Sequence, residues 1–380
     1  MKAWLNNQKQ NKIKVLQVNK FYYPWIGGIE TVVQDIAEGL KDKVDMTVLA
    51  CQPKGKTVKE KINDIDVIKA SSIGKYFSMP ISFSFFKYFY KLSKNNDIVH
   101  LHMPFPLGDL ACFLSRYKGK LVVWWHSDIV KQKKLMFFYK PLMNWVLRRA
   151  NLIIVATEGH IKSSKYLKKY KDKCKIIPFG IDIKKYPKQN KKILTNLLYN
   201  KTNKKILFVG RLVYYKGIEV LIDAFKNIKN CELFIVGDGA LKNLLIQKTT
   251  QYKIQNIVHF MGRLGDEDLR QAFSDCDIFV LPSIENSEAF GLVQLEAMVY
   301  EKPVINTSLP TGVPCVSLNK ISGFTVRPGD PQDLANAISI LANNQDLCIE
   351  MGKKGKERVE KIFNIKKMLD DILREYKNLL

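Results

Sequence analysis

The sequence predicts an α/β protein built from two Rossmann-like halves, and three observations lead there. Over residues 13–157, short apolar runs alternate with stretches whose apolar positions recur with a 3.6-residue period. A polar segment rich in Lys and Asn follows at 186–204, and the alternation then begins again and continues to residue 326. At 380 residues the chain is long enough for two domains, each with its own core.

In the first half, the run IKVLQVN at 13–19 reads as a strand. The loop KFYYPWIGG follows it, and then a helix over 30–40 with Val32, Val33, Ile36, Ala37 and Leu40 on one face. Gly27 and Gly28 therefore fall at a strand-to-helix turn. There the backbone can come close to a phosphate or a sugar, although a turn alone can also require the pair. Further strands are expected at 46–51, 65–70, 97–103, 120–126 and 152–157. LVVWWHSD brings His126 to the carboxyl end of a buried strand, on the side of the Gly27 loop, where parallel sheets bind ligands. His126 is thus a ligand-contact candidate, whereas His100 and His102, alternating on IVHLHM, read as structural histidines of the core.

Two segments raise the question of a membrane. FSFFKYFYKL at 83–92 sets aromatics beside lysines, and KQKKLMFFYKPLMNWVLRR at 131–149 joins a basic head to an apolar body and a basic tail. Both suit the interface of an anionic leaflet, and both are also compatible with ordinary amphipathic helices of the first domain.

In the second half, strands are expected at 206–209, 232–236, 257–261, 277–281, 303–307 and 324–326. Helices are expected at 219–228, 241–249, 266–274 and 290–300, with a helical tail over 331–380. The first strand-to-helix loop, GRLVYYKG, offers Arg211 and Lys216, a planar fork and a mobile point charge that can together neutralise a diphosphate. The stretch PSIENSEAFGLVQLEAM at 282–298 puts Glu288 in a loop and Glu296 in the helix after it. Between them Phe290, Gly291 and Leu292 supply helix-start N–H groups for a phosphate oxygen, and Gly291 permits a close approach. A carboxylate accepts two hydrogen bonds from a vicinal diol, so the two glutamates suit the hydroxyls of a sugar and of a ribose.

The formal charge of +25 fits nucleic acid, anionic lipid or phosphorylated small molecules, and also a coding bias toward lysine. No zinc spacing, RRM signature or helix-turn-helix accompanies it, which argues against a nucleic-acid partner. Seven scattered cysteines without a CxxC pair read as buried thiols in a reducing cytosol. The polar first dozen residues and the lack of an apolar run of roughly 18 residues predict neither export signal nor membrane span. DxD spacings occur at Asp64/Asp66 and Asp275/Asp277, each at the start of an apolar strand. A structural role is expected there, and no metal site.

Taken together, GGIE at 27–30, His126, the Arg211/Lys216 loop, and Glu288 and Glu296 seven residues apart resemble the retaining glycosyltransferases of family 4, over nearly the whole chain. The resemblance implies the GT-B fold: two Rossmann-like domains facing across a cleft, residues 1–185 for the acceptor and 205–362 for the nucleotide sugar, joined by 186–204. The end helix, 363–380, would cross back to the first domain. It implies that Arg211 and Lys216 hold the donor diphosphate, Glu296 the ribose and Glu288 the transferred sugar. The backbone of Phe290, Gly291 and Leu292 would meet sugar and phosphate, Gly27 and Gly28 would close on the diphosphate, and His126 would contact the sugar. No metal or other cofactor is implied.

Val299, Tyr300 and Glu301 depart from the family's usual small residue and glycine after EAM. In LPTGVPCV, Cys315 stands at the family's usual acidic position and no role is carried over to it; the TGVP-type loop resembles that of subgroups that build bacterial surface polysaccharides. The implied activity is hexosyl transfer from a GDP-mannose-like or UDP-sugar donor to a lipid-linked or cell-surface glycan, at the cytoplasmic face of an anionic membrane. A GT-B sugar-nucleotide epimerase and a basic nucleic-acid-binding protein are the alternatives.

Overall fold

The structure is a computed structural model and describes residues 12–25, 27–76, 79–128 and 133–380. The first eleven residues, Ile26 and the opening of the basic head at 131–132 lie outside the described residues. The chain forms two compact units. One comprises the described residues up to Val155, Ser164–Ile177 and Leu369–Leu380; the other comprises Ala156–Ser163 and Pro178–Met368.

The first unit carries strands β1 (Lys14–Val18), β2 (Asp45–Cys51), β3 (Val58–Ile62) and β4 (Ile65–Ala70). A short antiparallel pair, β5 (Lys75–Tyr76) and β6 (Met79–Pro80), follows, and then β7 (Ile98–Met103), β8 (Lys120–Trp125), β9 (Leu152–Val155) and β10 (Cys174–Ile176). The main sheet has the order β10-β9-β8-β7-β1-β2-β4-β3. β7 is buried along its whole length and β8 at all but its first residue, which is why they read as continuous apolar runs. All pairings are parallel except β3 with β4. β3 is absent from the expected elements because VKEKI has four exposed residues and one half-buried, and so no apolar alternation. What forms it is the turn: Asn63 and Asp64 both have left-handed φ, 49° and 70°, the two-residue geometry that closes a hairpin.

Helices α1 (Gly28–Leu40), α2 (Ser84–Ser93), α3 (Pro106–Ser115) and α4 (Lys133–Arg149) complete this unit. α1 buries the face predicted for it, Val32, Val33, Ile36, Ala37 and Leu40. α2 buries Phe85 and Phe89 but leaves Tyr90 exposed, as is Phe83 just before it.

The second unit contains the six-stranded parallel sheet of β11 (Lys204–Val209), β12 (Cys231–Val236), β13 (Val258–Gly262), β14 (Ile278–Val280), β15 (Val304–Thr307) and β16 (Gly323–Val326). Their order is β13-β12-β11-β14-β15-β16. Its helices are α5 (Glu158–Ser163), α6 (Ile218–Phe225), α7 (Lys242–Gln251), α8 (Asp266–Asp275), α9 (Val293–Val299), α10 (Val313–Val316), α11 (Pro331–Ala342) and α12 (Gln345–Ile362). The terminal helix α13 (Ile365–Leu379) contributes its last turns to the first unit.

The division falls between Val155 and Pro178 rather than at 186–204. The lysine- and asparagine-rich stretch is part of the second unit because two carboxylates fasten its backbone. Asp275 accepts the N–H groups of Leu194 and Thr195, each at 2.8 Å. The fully buried Glu232 accepts those of Tyr199 and Asn200 at 2.9 Å, with Asn203 Nδ2 and His259 Nε2 completing its shell. Burial opposes ionisation of Glu232, yet these donors outweigh it and hold its pKa below the usual value. Asp277 accepts the N–H of Lys205 at 2.7 Å and pairs with its ammonium at 3.1 Å. One DxD pair therefore ties strand and connector together, and the other sits at the β3–β4 turn.

Each sheet has one switch point, where the chain reverses its direction of adding strands: between β1 and β7 in the first unit and between β11 and β14 in the second. The loops at the carboxyl ends of those strands are where a doubly wound sheet holds a ligand.

Candidate active site

The two loops at the second unit's switch point carry the sequence candidates. After β11, Gly210 to Gly217 presents Arg211 and Lys216; after β14, residues 281–292 present Glu288 and the Phe290–Leu292 backbone. The loops are bound to each other. Ile284 N–H donates to Tyr215 O at 2.8 Å, and the Tyr214 hydroxyl donates to Glu285 at 2.9 Å. Lys216 Nζ lies 2.5 Å from Glu288 Oε2, with both side chains largely withdrawn from solvent. Gly217 makes this possible: at φ +68° it is left-handed, and a Cβ there would stand 2.0 Å from Pro282 O.

The fully buried Ser283 also donates to Glu288 Oε2, at 3.1 Å, while Arg211, exposed, donates to the Tyr215 hydroxyl at 2.9 Å. Ser283 and Tyr215 are absent from the residues singled out in the sequence. No motif marks them, and only their spacing on the same two loops could have pointed to them.

Helix α9 starts at Val293, three residues later than the periodicity predicts, because Gly291 adopts φ +74° and interrupts the helical run. A Cβ on Gly291 would lie 2.5 Å from the Leu281 side chain and 2.9 Å from Gln294 Nε2. The ring of Phe290 is buried edge-on against Phe179 and Phe363, at centroid distances of 4.9 and 5.9 Å, so its backbone is what it offers to the loop. That backbone is held from behind by the buried Gln294, whose Nε2 donates to Phe290 O at 3.0 Å and whose Oε1 accepts from Asn306 at 2.9 Å. Glu296 lies inside α9 as predicted. Burial raises its carboxyl pKa to about 7, and the charge of Asp266 adds to the effect. Asp266 is a further residue that sequence pattern did not connect with the site.

In the first unit, Gly27 caps α1 and Gly28 opens it, in the loop after β1. Gly27 has φ −169°, extended backbone open to any residue, so conformation alone does not call for glycine. His126 follows β8, two strands from β1 at the same carboxyl edge, and is 4% exposed. It belongs to a buried polar network: His126 Nε2 is 2.9 Å from His102 Nδ1, and His102 Nε2 is 2.6 Å from Gln17 Oε1. Beyond Gln17 come His100 and Tyr376, with His100 Nδ1 2.6 Å from the Tyr376 hydroxyl. His100 and His102 are thus core residues, as the sequence suggests, but His102 is also bonded to the candidate ligand contact. A separate polar cleft, lined by Lys12, Lys14, Lys41, Asp45 and Asp64, lies at the amino ends of β1 and β2, the opposite edge of the sheet.

The chain matches two family models, Glycosyltransferase Family 4 over residues 26–185 and Glycosyl transferases group 1 over residues 189–358. It is 33% identical over 370 residues to the O-antigen chain mannosyltransferase C of Escherichia coli, covering 97% of this chain and 99% of the relative. It is 31% identical to the D-rhamnosyltransferase WbpZ of Pseudomonas aeruginosa, covering 92% of each. Among solved structures it resembles Anabaena HepE in complex with UDP (TM-score 0.78, 21% identity, 96% of this chain and all of that one). It also resembles a sucrose-phosphate synthase from Thermosynechococcus elongatus (TM-score 0.80, 20% identity, 97% and 99% covered). Two parallel-sheet units, each matched by its own family model, and relatives aligned from end to end make this chain a GT-B glycosyltransferase of family 4.

Proposed function

We propose that the protein is a retaining hexosyltransferase of surface-polysaccharide assembly, moving a manno-configured sugar from a nucleoside diphosphate to a growing glycan. The observation that carries the reading is the Lys216–Glu288 pair, set on the two loops that flank the second unit's switch point beside Arg211. A cation pair for a diphosphate and a carboxylate for sugar hydroxyls are thereby adjacent, as transfer from a nucleotide sugar requires. The named relatives favour the sugar: one is a mannosyltransferase and the other a rhamnosyltransferase, and D-rhamnose is 6-deoxymannose.

Arg211 and Lys216 then bind the diphosphate, Glu288 the sugar hydroxyls and Glu296 the ribose diol, with the Phe290–Leu292 backbone against sugar and phosphate. Gly27 and Gly28 approach the diphosphate, and His126 contacts the sugar. In the reaction the bond from the anomeric carbon to the phosphate oxygen breaks, and a bond to the acceptor oxygen forms on the same face. The acceptor's proton passes to the departing phosphate oxygen, so no side chain is required as base. The protein supplies positioning and charge stabilisation, and no metal enters the reading.

The acceptor is read as a lipid-linked glycan met at the cytoplasmic face of an anionic membrane. No helix among the described residues is long and apolar enough to cross a bilayer, but α3 turns Leu110, Phe113 and Leu114 outward. The test is a thermal-shift panel of GDP-mannose, GDP-6-deoxymannose and UDP-glucose, repeated with Glu296→Ala, followed by transfer to a lipid-linked glycan. One donor should stabilise the wild type and lose most of that effect in the variant. Equal stabilisation of both would remove Glu296 from the site, and release of an epimerised sugar nucleotide without acceptor would overturn transfer.

A further inference from the structure

We propose that Gln17 and His102 are positioning residues that hold His126 as its Nε2–H tautomer, with its ring held nearly parallel to that of His102. The inference rests on the reading of His126 as a contact to the donor sugar. Gln17 on β1 and His102 on β7 are 0% and 1% exposed, so neither can meet a ligand directly, yet they form an unbroken line to His126.

The direction of the line follows from hydrogen-bond chemistry. The 2.6 Å separation between Gln17 Oε1 and His102 Nε2 suits N–H···O and is short for N–H···N. The amide nitrogen of Gln17 faces the other way, 3.3 Å from the Tyr376 hydroxyl and 3.4 Å from His100 Nδ1. His102 therefore donates from Nε2. Burial, with the neighbouring His100 and His126 adding to it, pushes its pKa well below the ordinary imidazole value, so it has only that one N–H. Its Nδ1 is then an acceptor, and at 2.9 Å the proton between the rings belongs to His126 Nε2.

Stacking restrains the ring plane as well. His126 lies against His102 at a centroid distance of 5.2 Å and 22° between planes, and against Trp124 at 5.8 Å and 9°. With Nε2 committed to His102, Nδ1 of a neutral His126 is an acceptor. Such a nitrogen suits a hydroxyl donor and disfavours a carbonyl or phosphate oxygen in the same place. Tyr376, on the terminal helix, and His100 anchor the far side of the Gln17 amide and so keep its oxygen toward His102.

The test is a long-range 1H–15N spectrum of 15N-histidine-labelled protein at pH 8 without donor. The five histidines are assigned by single substitutions. His126 is expected to be protonated at Nε2 and not at Nδ1; the reverse would overturn the proposal without any variant. Gln17→Met removes the acceptor at similar length, and Gln17→Glu restores it. The first should turn His126 into a tautomer mixture and lower kcat roughly tenfold with donor KM changed less than twofold, and the second should recover the wild-type spectrum. An unchanged spectrum and rate in Gln17→Met would sink the relay. Should Gln17→Met not fold, the wild-type spectrum and Tyr376→Phe, which removes one hydroxyl, decide the same question: a His126 already mixed in the wild type refutes it. His126→Ala separates the two readings. Full transfer by that variant removes the donor contact, whereas an inactive His126→Ala beside a wrong wild-type tautomer removes the relay alone.

Discussion

Lys216 Nζ stands 2.5 Å from Glu288 Oε2, and Ser283 shares the same oxygen, so the residues read as diphosphate and sugar ligands are paired with each other. On the proposed reading, donor binding redirects the ammonium toward phosphate, so the pair opposes nucleotide binding while it prepares the carboxylate. Glu288→Gln keeps a partner for Ser283 and frees the lysine. The expected outcome is nucleoside diphosphate binding tightened by up to about tenfold, with transfer reduced by at least about a hundredfold. Calorimetry with GDP and UDP beside a transfer assay reads both. Weaker diphosphate binding by Glu288→Gln would contradict the exchange of partners.

Glu296 gives a pH dependence of unusual sign for a carboxyl. Its folded pKa of about 7 lies above the ordinary 4.5, through burial first and the charge of Asp266 second. Between those pH values the folded chain keeps a proton that the unfolded chain has released. Stability from this group is therefore full below about pH 4.5 and is lost as pH rises to about 7, by roughly 3 kcal/mol at 1.36 kcal/mol per unit. Glu296→Gln should match the wild type near pH 4.5 and exceed it at pH 8 in urea unfolding. Only the carboxylate accepts both bonds of a ribose diol, so donor affinity should rise about tenfold per pH unit below 7 and level off above it. A wild-type affinity that stays flat from pH 5 to 8 would separate Glu296 from the ribose.

Gly217 connects fold to site through one backbone angle. Alanine at φ +68° is strained by about 1 kcal/mol, and its Cβ would overlap Pro282 O, which lies on the backbone and cannot swing away. Gly217→Ala should lower stability by about 2 kcal/mol or more and, by shifting the loop that presents both Arg211 and Lys216, reduce donor affinity at temperatures where the variant is still folded. Differential scanning calorimetry paired with donor titration tests this. A variant that loses stability but binds donor as before would mean that the loop's position does not matter to the site.

What the sequence made legible was what period and punctuation encode. Apolar runs marked nearly every strand of both sheets, and strand ends located Arg211, Lys216, Glu288 and His126. Three features escaped for physical reasons. β3 has no buried face, so its existence rests on the left-handed Asn63–Asp64 turn. The stretch 186–204 has the composition of a linker, yet Asp275 and Glu232, distant in sequence, bind its backbone to the second unit. Ser283 and Gln17 look like any polar residue in the chain; Ser283 reaches Glu288 only once their shared loop has folded, and Gln17 reaches His102 only once β1 and β7 are paired.

The outer face of α3 reverses the usual pattern of a surface helix. Leu110, Phe113 and Leu114 are 37%, 44% and 59% exposed, spaced three and four residues apart, while Asp109 is buried and bonded to Tyr139. An apolar groove lined by Met79, Ile81, Phe83, Phe86 and Leu107 adjoins Leu110 on one side. On the other, Phe113 meets Trp145 of α4 edge-on at 4.9 Å. Lys87 and Lys91 on α2 and Lys140 on α4 are exposed on the helices that flank it. Apolar side chains with lysines around them match an anionic bilayer interface, where rings and leucines enter the acyl boundary and ammonium groups meet headgroups. The full-length protein should sediment with phosphatidylglycerol vesicles and not with phosphatidylcholine. Replacing Leu110, Phe113 and Leu114 by Ser should weaken that binding by about a hundredfold, since each buried side chain contributes on the order of 1 kcal/mol. Lys87→Glu with Lys91→Glu should weaken it in a salt-dependent way, as screened charge requires. Transfer to a soluble glycan should persist in both variants while transfer to a lipid-linked one falls. Equal sedimentation of wild type and the triple variant would show that this face does not meet the membrane.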